Sequence, residues 1–446
     1  MQINGFAQND FSIPTLPQVS PLTESQIVEL SPTDCDYKFP ERAENFRCLS
    51  NNGSANVSLI FGSFKKELHI VAIDENPDGK SRFERLVIDE DSEASNGFLA
   101  TIKQGEWFPL ELNKNNLVTV GLYAKLLKLD THLNEVKIYF GAAFRNGGYP
   151  NSFVEKIEKE VGFAVGGPDY QGYLQDKITI ETLLEQAHRE TGYMQKAALY
   201  CINNLEFDLL LYDHPILDRY GHYLYGTSTD KFPVMKDGYI ATDKNLKAIL
   251  KAIDNDTALL IVSGHGFSEA HTSFSLLKIF DSMGVKISPA ENADIAVIAS
   301  KLSAHIYLNN RNLSESGKRN YLQSLKQKLE NYKDKNTGKT IIDKVLFPNE
   351  MKRFHLYNPT TSGDLWICLK AGYTFDGVIA PYELRGQPTF VGEHGYFDRS
   401  PEAKGFFSLY SQKKITLTNR IKDSTDIMPI IFNLLKNENF ICDFVF

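Results

Sequence analysis

The chain is short of several features, and each absence closes a route. Its 446 residues hold five cysteines, Cys35, Cys48, Cys201, Cys368 and Cys442, scattered, odd in number and without a C-x-x-C pair. That argues against a disulfide framework and against a cysteine zinc site. No basic block appears and the formal charge is −8, so the footprint of a nucleic-acid binder is missing and no nucleic-acid partner is expected. No apolar run approaches the roughly 18 residues that span a bilayer. The first ten residues have neither the basic start nor the apolar core of a signal peptide. There is no G-x-S-x-G, no P-loop and no G-x-G-x-x-G between a strand and a helix. Repeats and low-complexity tracts are also missing.

What is present reads as a folded protein of two domains. With 42% hydrophobic and 23% charged residues, the chain has the composition of a globular protein and not of a disordered one. Residues 7–55 are rich in Pro, Ser, Thr and Asn and read as extended linker after a strand end at Ile3–Phe6. From Val57 to about Phe144, short β-branched and aromatic runs separated by turn clusters predict an antiparallel β unit. Beyond residue 150, helical periods alternate with apolar runs. Helices are expected over Phe153–Glu160, Thr179–Asn204, Asp243–Ile253, Phe274–Met283, Gly317–Tyr332 and Ile427–Leu435. Strands are expected at Phe207–Tyr212, Ala258–Val262, Ile295–Ile298, His305–Leu308, His355–Tyr357 and Leu365–Leu369. Such alternation implies an α/β fold, a mostly parallel sheet flanked by helices, with the β unit at about 57–145 inserted as a cap. The expected division is 1–56 as a partial core strand plus linker, 57–145 as the cap and 146–446 as the core.

Three histidines follow one logic. His222 lies four residues after Asp218, just beyond the Phe207–Tyr212 run. If the chain turns helical after Pro215, both side chains share a face, close enough to share a metal ion. His265 and His394 each precede a glycine, which lets backbone pass close to a bound ion. Asp218 with these imidazoles is the N/O set that zinc favours. A solvated Asp and a surface His give the same spacing, and a buried histidine in a tight turn can serve only to satisfy backbone groups. His271 and His305 read as structural or outer contacts, and His214 as a turn residue. Tyr357-Asn-Pro-Thr-Thr-Ser-Gly-Asp364 offers hydroxyls suited to a nucleophile loop, although these are also ordinary turn residues.

Together the motifs resemble the type I phosphodiesterase/nucleotide pyrophosphatase branch of the alkaline phosphatase superfamily. Asp-x-x-Gly-His-x-x-Gly is matched by Asp218, Gly221, His222 and, one residue late, Gly226. Ser263-Gly-His-Gly266 resembles the family's Ser-Asp-His-Gly turn, and Gly392-Glu-His-Gly-Tyr396 its late Gly-x-His-Gly-Tyr turn. Further matches are Gly105-Glu-Trp107, Tyr139-Phe-Gly141, Arg145-Asn146, Tyr149-Pro150, Gly166-Gly-Pro-Asp169 and Tyr357–Asp364, so the resemblance covers most of the chain. It implies an alkaline-phosphatase-like core. It also implies two zinc ions about 4 Å apart and a Thr or Ser that takes the phosphoryl group of a phosphoester. Carried over by motif, Asp218, His222 and His394 make one complete zinc site, and His265 belongs to a second. Gly264 stands where that second site has an Asp.

The resemblance enters partway into the family's catalytic domain. The expectation is therefore that the N-terminal nucleophile segment is lacking, and that the chain is either poorly soluble or associated with a partner chain that supplies the first strands. Three readings follow. The chain is a metal-dependent phosphoester hydrolase with one intact zinc site and an impaired second one. Alternatively it is a catalytically inactive zinc-binding pseudoenzyme or truncated remnant, or an interaction protein whose His-Gly turns bind nothing. For the chain alone, little or no phosphodiesterase activity is expected.

Overall fold

The computed structural model describes residues 24–34, 46–51, 56–61, 64–76, 78, 80–114, 118–225, 232–288, 292–309, 313–375, 385–397, 403–413, 415 and 424–436. The chain divides into two units, 1–219 with 241–253, and 220–240 with 254–446.

The first unit opens with nine strands: β1 (Gln26–Thr33), β2 (Phe46–Ser50), β3 (Val57–Phe61), β4 (Phe64–Ile73), β5 (Arg85–Asp89), β6 (Ala100–Ile102), β7 (Trp107–Lys114), β8 (Val118–Leu129) and β9 (Val136–Phe140). They form one sheet in the order β6-β5-β4-β2-β1-β9-β8-β7, with β3 on β4, and every pairing is antiparallel. The sheet curls like a barrel around Leu59, Phe61, Leu68, Phe108, Leu122 and Phe140, all essentially buried. β1 and β2 lie in the stretch expected to be linker, which corrects that expectation. In β1 the buried residues Val28 and Leu30 alternate with exposed Glu29 and Ser31, a period of two too short to stand out among Pro, Ser and Thr.

Helices α1 (Asn151–Glu160), α2 (Tyr170–Leu174) and α3 (Ile180–Asn204) follow. Thr179 caps α3 by accepting from the Thr182 backbone N–H, and Leu183, Ala187, Met194, Ala198 and Cys201 form its buried stripe. The Gly-Gly-Pro-Asp motif has a structural use. Asp169 accepts from the Gly172 backbone N–H at 2.8 Å and from the Tyr139 hydroxyl at 3.0 Å, tying the start of α2 to the sheet.

The boundary between the units cuts through α4 (Ile216–Leu224) and α5 (Phe232–Ala252). The second unit continues with β10 (Leu259–Val262), β11 (Ser268–Glu269), β12 (Thr272–Phe274), α6 (Leu276–Ser282), β13 (Ile295–Ala299), β14 (Ser303–Leu308), α7 (Glu315–Glu330), β15 (Ile342–Leu346), α8 (Pro348–Lys352), β16 (Leu365–Leu369), β17 (Tyr373–Phe375), β18 (Arg385–Gly386), β19 (Gly392–Glu393), β20 (Phe407–Tyr410) and α9 (Ile427–Lys436). Its main sheet, β13-β14-β16-β15, is antiparallel. Ile279 and Phe280 of α6 and Leu322, Leu325 and Leu329 of α7 share its core.

The architecture is mixed α/β, but the parallel sheet does not appear among the described residues, where β12 with β17 is the one parallel strand pair. Two expected strands are also corrected. Among the described residues Phe207–Tyr212 carries no strand, with a bend at Asp208 and with Phe207 and Leu209 exposed; an apolar run without a neighbouring strand has no register to close. His355 takes φ 57° in a turn after α8, which ends any strand there. Cys48 is disulfide-bonded, so the scattered cysteines do include a bridge; its partner lies outside the described residues. Cys201 and Cys368 are free, and burial pushes each thiol up to about 11, which keeps them unreactive. Among the described residues no helix is long and apolar enough to cross a membrane.

Candidate metal centre

Helix α4 forms where Pro215 ends the extended stretch, its carbonyl accepting from the Arg219 backbone N–H at 2.9 Å. Ile216 and Tyr220 are fully buried and fix which face turns inward. Asp218 lies in the first turn and His222 in the last, one helical turn apart on the same side, as their spacing predicts. Beside Asp218, Arg219 donates to both carboxylate oxygens of buried Glu190 on α3, at 3.0 and 2.8 Å.

The late glycine turn docks directly on α4. The Val391 backbone N–H donates to the His222 carbonyl at 3.1 Å, and His222 Nδ1 donates to the Gly392 carbonyl at 2.9 Å. The approach needs glycine: a Cβ on Gly392 would stand 2.2 Å from the Gly221 carbonyl oxygen and 2.4 Å from Tyr225 Cβ. β19 then pairs with β11, Ser268 opposite Glu393 and Glu269 opposite Gly392, and this bridge joins the two His-Gly turns. The Tyr396 hydroxyl, donating to the Tyr373 carbonyl at 3.0 Å, anchors the far side of the late turn.

The result gathers His222, His265 and His394 within the second unit. The rings of His265 and His394 stack with centroids 3.4 Å apart and 3° from parallel, and a ring nitrogen of one lies within 4.8 Å of a ring nitrogen of the other. The His222 ring centroid is 5.0 Å from that of His394. Phe267 meets all three rings edge-on, at 5.2 Å for His222 and His394 and 5.5 Å for His265. Asp218 is carried on the same helix as His222.

A carbonyl oxygen only accepts, so the bond to Gly392 puts a proton on His222 Nδ1. His265 Nδ1 likewise donates to the Gly266 carbonyl at 3.0 Å. Both rings therefore offer the Nε2 lone pair, the protonation pattern of metal-ligating histidine. Two nitrogens on one tetrahedral zinc are about 3.3 Å apart, given Zn–N bonds of roughly 2.0–2.1 Å. Parallel rings send their in-plane lone pairs past a shared ion, so the stack itself is not ligand geometry; what fits a zinc-type ion is the donor set, with a ring nitrogen of His265 and one of His394 within 4.8 Å of each other.

The other histidines are tied into local structure. His271 Nδ1 is 2.9 Å from Thr272 Oγ1, and its ring meets Tyr373 edge-on. His305 Nδ1 accepts from the Gly363 backbone N–H at 3.2 Å. The Tyr357–Asp364 loop is pinned to β14 by the Tyr307 hydroxyl donating to the Thr361 carbonyl at 2.6 Å, and by Asp364 accepting from the Leu308 backbone N–H at 2.7 Å. The loop's serine and threonines sit in an asparagine turn: Asn358 Oδ1 accepts from the Thr360 and Thr361 backbone N–H groups. His214 Nε2 lies 3.0 Å from Thr242 Oγ1. Sequence reasoning missed Phe267, Phe390, Lys301 and Glu393 around His222. Only Glu393 carried a signal, as a charged residue inside a glycine turn.

A sequence model described as type I phosphodiesterase / nucleotide pyrophosphatase matches residues 122–397. No curated protein matches. Among solved structures, human ectonucleotide pyrophosphatase / phosphodiesterase 5 is similar at 15% identity and a TM-score of 0.36, over 60% of this chain and 62% of that one. Phosphonoacetate hydrolase from Sinorhizobium meliloti 1021 is similar at 13% identity, in complexes with phosphonoformate (TM-score 0.35) and phosphonoacetate (TM-score 0.36), over 56% of each chain. This chain thus spans less than two thirds of either protein's length.

Proposed function

The chain belongs to the type I phosphodiesterase / nucleotide pyrophosphatase family, and from that premise we propose that it is a metal-dependent phosphoester hydrolase whose ion is held by Asp218, His222, His265 and His394. The observation that carries the reading is the cluster of candidate ligand atoms of Asp218, His265 and His394, all within 4.8 Å of one another; His222, one helical turn after Asp218, lies outside that cluster and joins it only by this proposal. Three imidazoles and a carboxylate form an N/O set that favours zinc over magnesium or calcium. When bound, such an ion polarises a phosphoryl oxygen and stabilises the charge that develops there. The chain's own residues prepare that chemistry. The Gly392 and Gly266 carbonyls hold protons on Nδ1 of His222 and His265, and the Phe267 ring meets the three imidazoles edge-on. Gly264 supplies no side chain to a second ion, so one tightly held ion per chain is proposed.

The test is metal analysis of the purified chain together with hydrolysis of bis-p-nitrophenyl phosphate and p-nitrophenyl phosphate. About one zinc per chain, with hydrolysis abolished by chelation and by His394→Ala, supports the reading. A chain that neither retains nor takes up zinc would falsify it. Preference between the two substrates decides diester from monoester.

A further inference from the structure

The imidazole of His222 is gripped from the side opposite to the nitrogen it offers. Glu393 is almost wholly buried, at 3% exposure, and its Oε2 lies 3.6 Å from His222 Nδ1. The other oxygen, Oε1, is 3.3 Å from Lys301 Nζ. Lys301 in turn places its ammonium 3.4 Å from the centroid of the Phe390 ring, and Phe390 lies against the His222 ring with centroids 4.9 Å apart. The four side chains close a loop, from His222 to Glu393, Lys301, Phe390 and back. Glu393 also belongs to β19, paired to β11, so its backbone is held by the bridge that joins the two His-Gly turns.

We propose that Glu393 is a positioning residue for His222. Held by Lys301, its carboxylate reinforces the proton on Nδ1, fixes the plane of the ring, and leaves Nε2 facing the ion. The proposal rests on the metal-centre reading and deepens it. A buried carboxylate next to a protonated ring nitrogen lowers the energy of that tautomer and of the partial positive charge the ring gains when Nε2 donates to a cation. The backbone carbonyl of Gly392 accepts the proton, while the carboxylate supplies charge that a carbonyl does not have. Lys301 partly balances the buried charge and, through its place over Phe390, sets the wall against which the ring rests. Glu393 itself approaches the Nδ1 edge, so its part is orientation and not ligation.

The test uses Glu393→Gln, close to isosteric, with Glu393→Asp as the second variant. Two readouts are taken on the full chain. One is Co2+ and Zn2+ affinity by chelator competition. The other is the ring 15N shifts of His222 in metal-free protein, assigned by loss of its signal in His222→Ala. Glu393→Gln is expected to weaken metal affinity about 10- to 100-fold and to move His222 away from the single Nδ1-protonated form, with a smaller loss for Glu393→Asp. Unchanged affinity and unchanged His222 shifts in both variants overturn the proposal. If the parent chain binds neither ion but its His222 tautomer still depends on Glu393, the positioning role stands and the metal reading falls. If Glu393→Gln does not fold, Glu393→Asp alone decides by the same criteria.

Discussion

His265 and His394 lie face to face, 3.4 Å between ring centroids, although each comes from its own glycine turn in a distant part of the chain. By motif, His394 belonged with Asp218 and His222 while His265 served a separate ion. A ring nitrogen of each lies within 4.8 Å of one of the other, and on that closeness we predict one shared ion. His265→Ala and His394→Ala should each drop zinc content from about one per chain to near none after dialysis against a weak chelator, a larger loss than outer-sphere changes give. Retention of the ion by His265→Ala with loss in His394→Ala would assign the two histidines to different ions.

Gly392 is where the late turn meets α4. Its missing Cβ leaves room for the Gly221 carbonyl oxygen, which would otherwise stand 2.2 Å away. Backbone on both sides leaves nothing to rotate aside. Gly392→Ala should therefore cost about 1–3 kcal/mol of stability by overpacking. It should also weaken metal binding, because it parts the hydrogen bond from His222 Nδ1 to the Gly392 carbonyl. Chemical denaturation of the metal-free chain separates the two effects.

Those two positions show how much was legible beforehand. The Asp218–His222 spacing suited a helix after Pro215 without establishing one; α4 forms there, with Ile216 and Tyr220 buried four residues apart. The glycine after His394 has a backbone reason, since Gly395 takes φ 95°, although a Cβ there would meet only Leu302 Cδ1 at 3.7 Å. β1 was not legible, since its alternation rests on two residues, Val28 and Leu30, in a stretch of turn-forming composition. Phe207–Tyr212 failed in the other direction: apolar content suggests a strand, but pairing depends on a neighbour that no local pattern reveals. Glu393 was hidden for the same kind of reason. Its charge resembles a solvated turn residue until β19 pairs with β11 and buries it against His222.

The ion pair of Arg219 and Glu190 holds the start of α4 to α3. Glu190 is 1% exposed, so removing Arg219 leaves a buried carboxylate without its bidentate donor, while removing Glu190 leaves Arg219, 25% exposed, with Asp218 at 4.0 Å. Glu190→Ala should cost about 3 kcal/mol, the lower end for a broken buried pair because Arg219 keeps some contact with solvent. A denaturation midpoint equal to that of the parent would show the pair to be dispensable.

His214 makes acid stability testable. Burial lowers its pKa from the ordinary 6.5. The unfolded chain therefore binds a proton at higher pH than the folded one. The contribution is complete above about 6.5 and is lost as pH falls towards the folded value. Urea midpoints should decline from pH 7.5 to pH 5.5, and His214→Gln, which cannot titrate, should flatten part of that decline. His305, lowered by burial in the same way, accounts for a further share. An identical slope with and without His214 would remove it as a cause.

Gly264 carries the sharpest prediction, because the chain departs there from its family's Ser-Asp-His-Gly turn. A Cβ at this position meets nothing within 4 Å. Its neighbour Ser263 holds the turn by donating from Oγ to the His265 carbonyl at 2.6 Å, a bond that does not involve the residue between them. Gly264→Asp should thus fold with a change in stability within about 0.5 kcal/mol. The new carboxylate adds an oxygen ligand one residue from His265, so a clear gain in zinc affinity should appear in a titration followed by a chelator dye. If the variant folds and its zinc affinity equals that of the parent, a carboxylate at position 264 does not reach the ion held by His265.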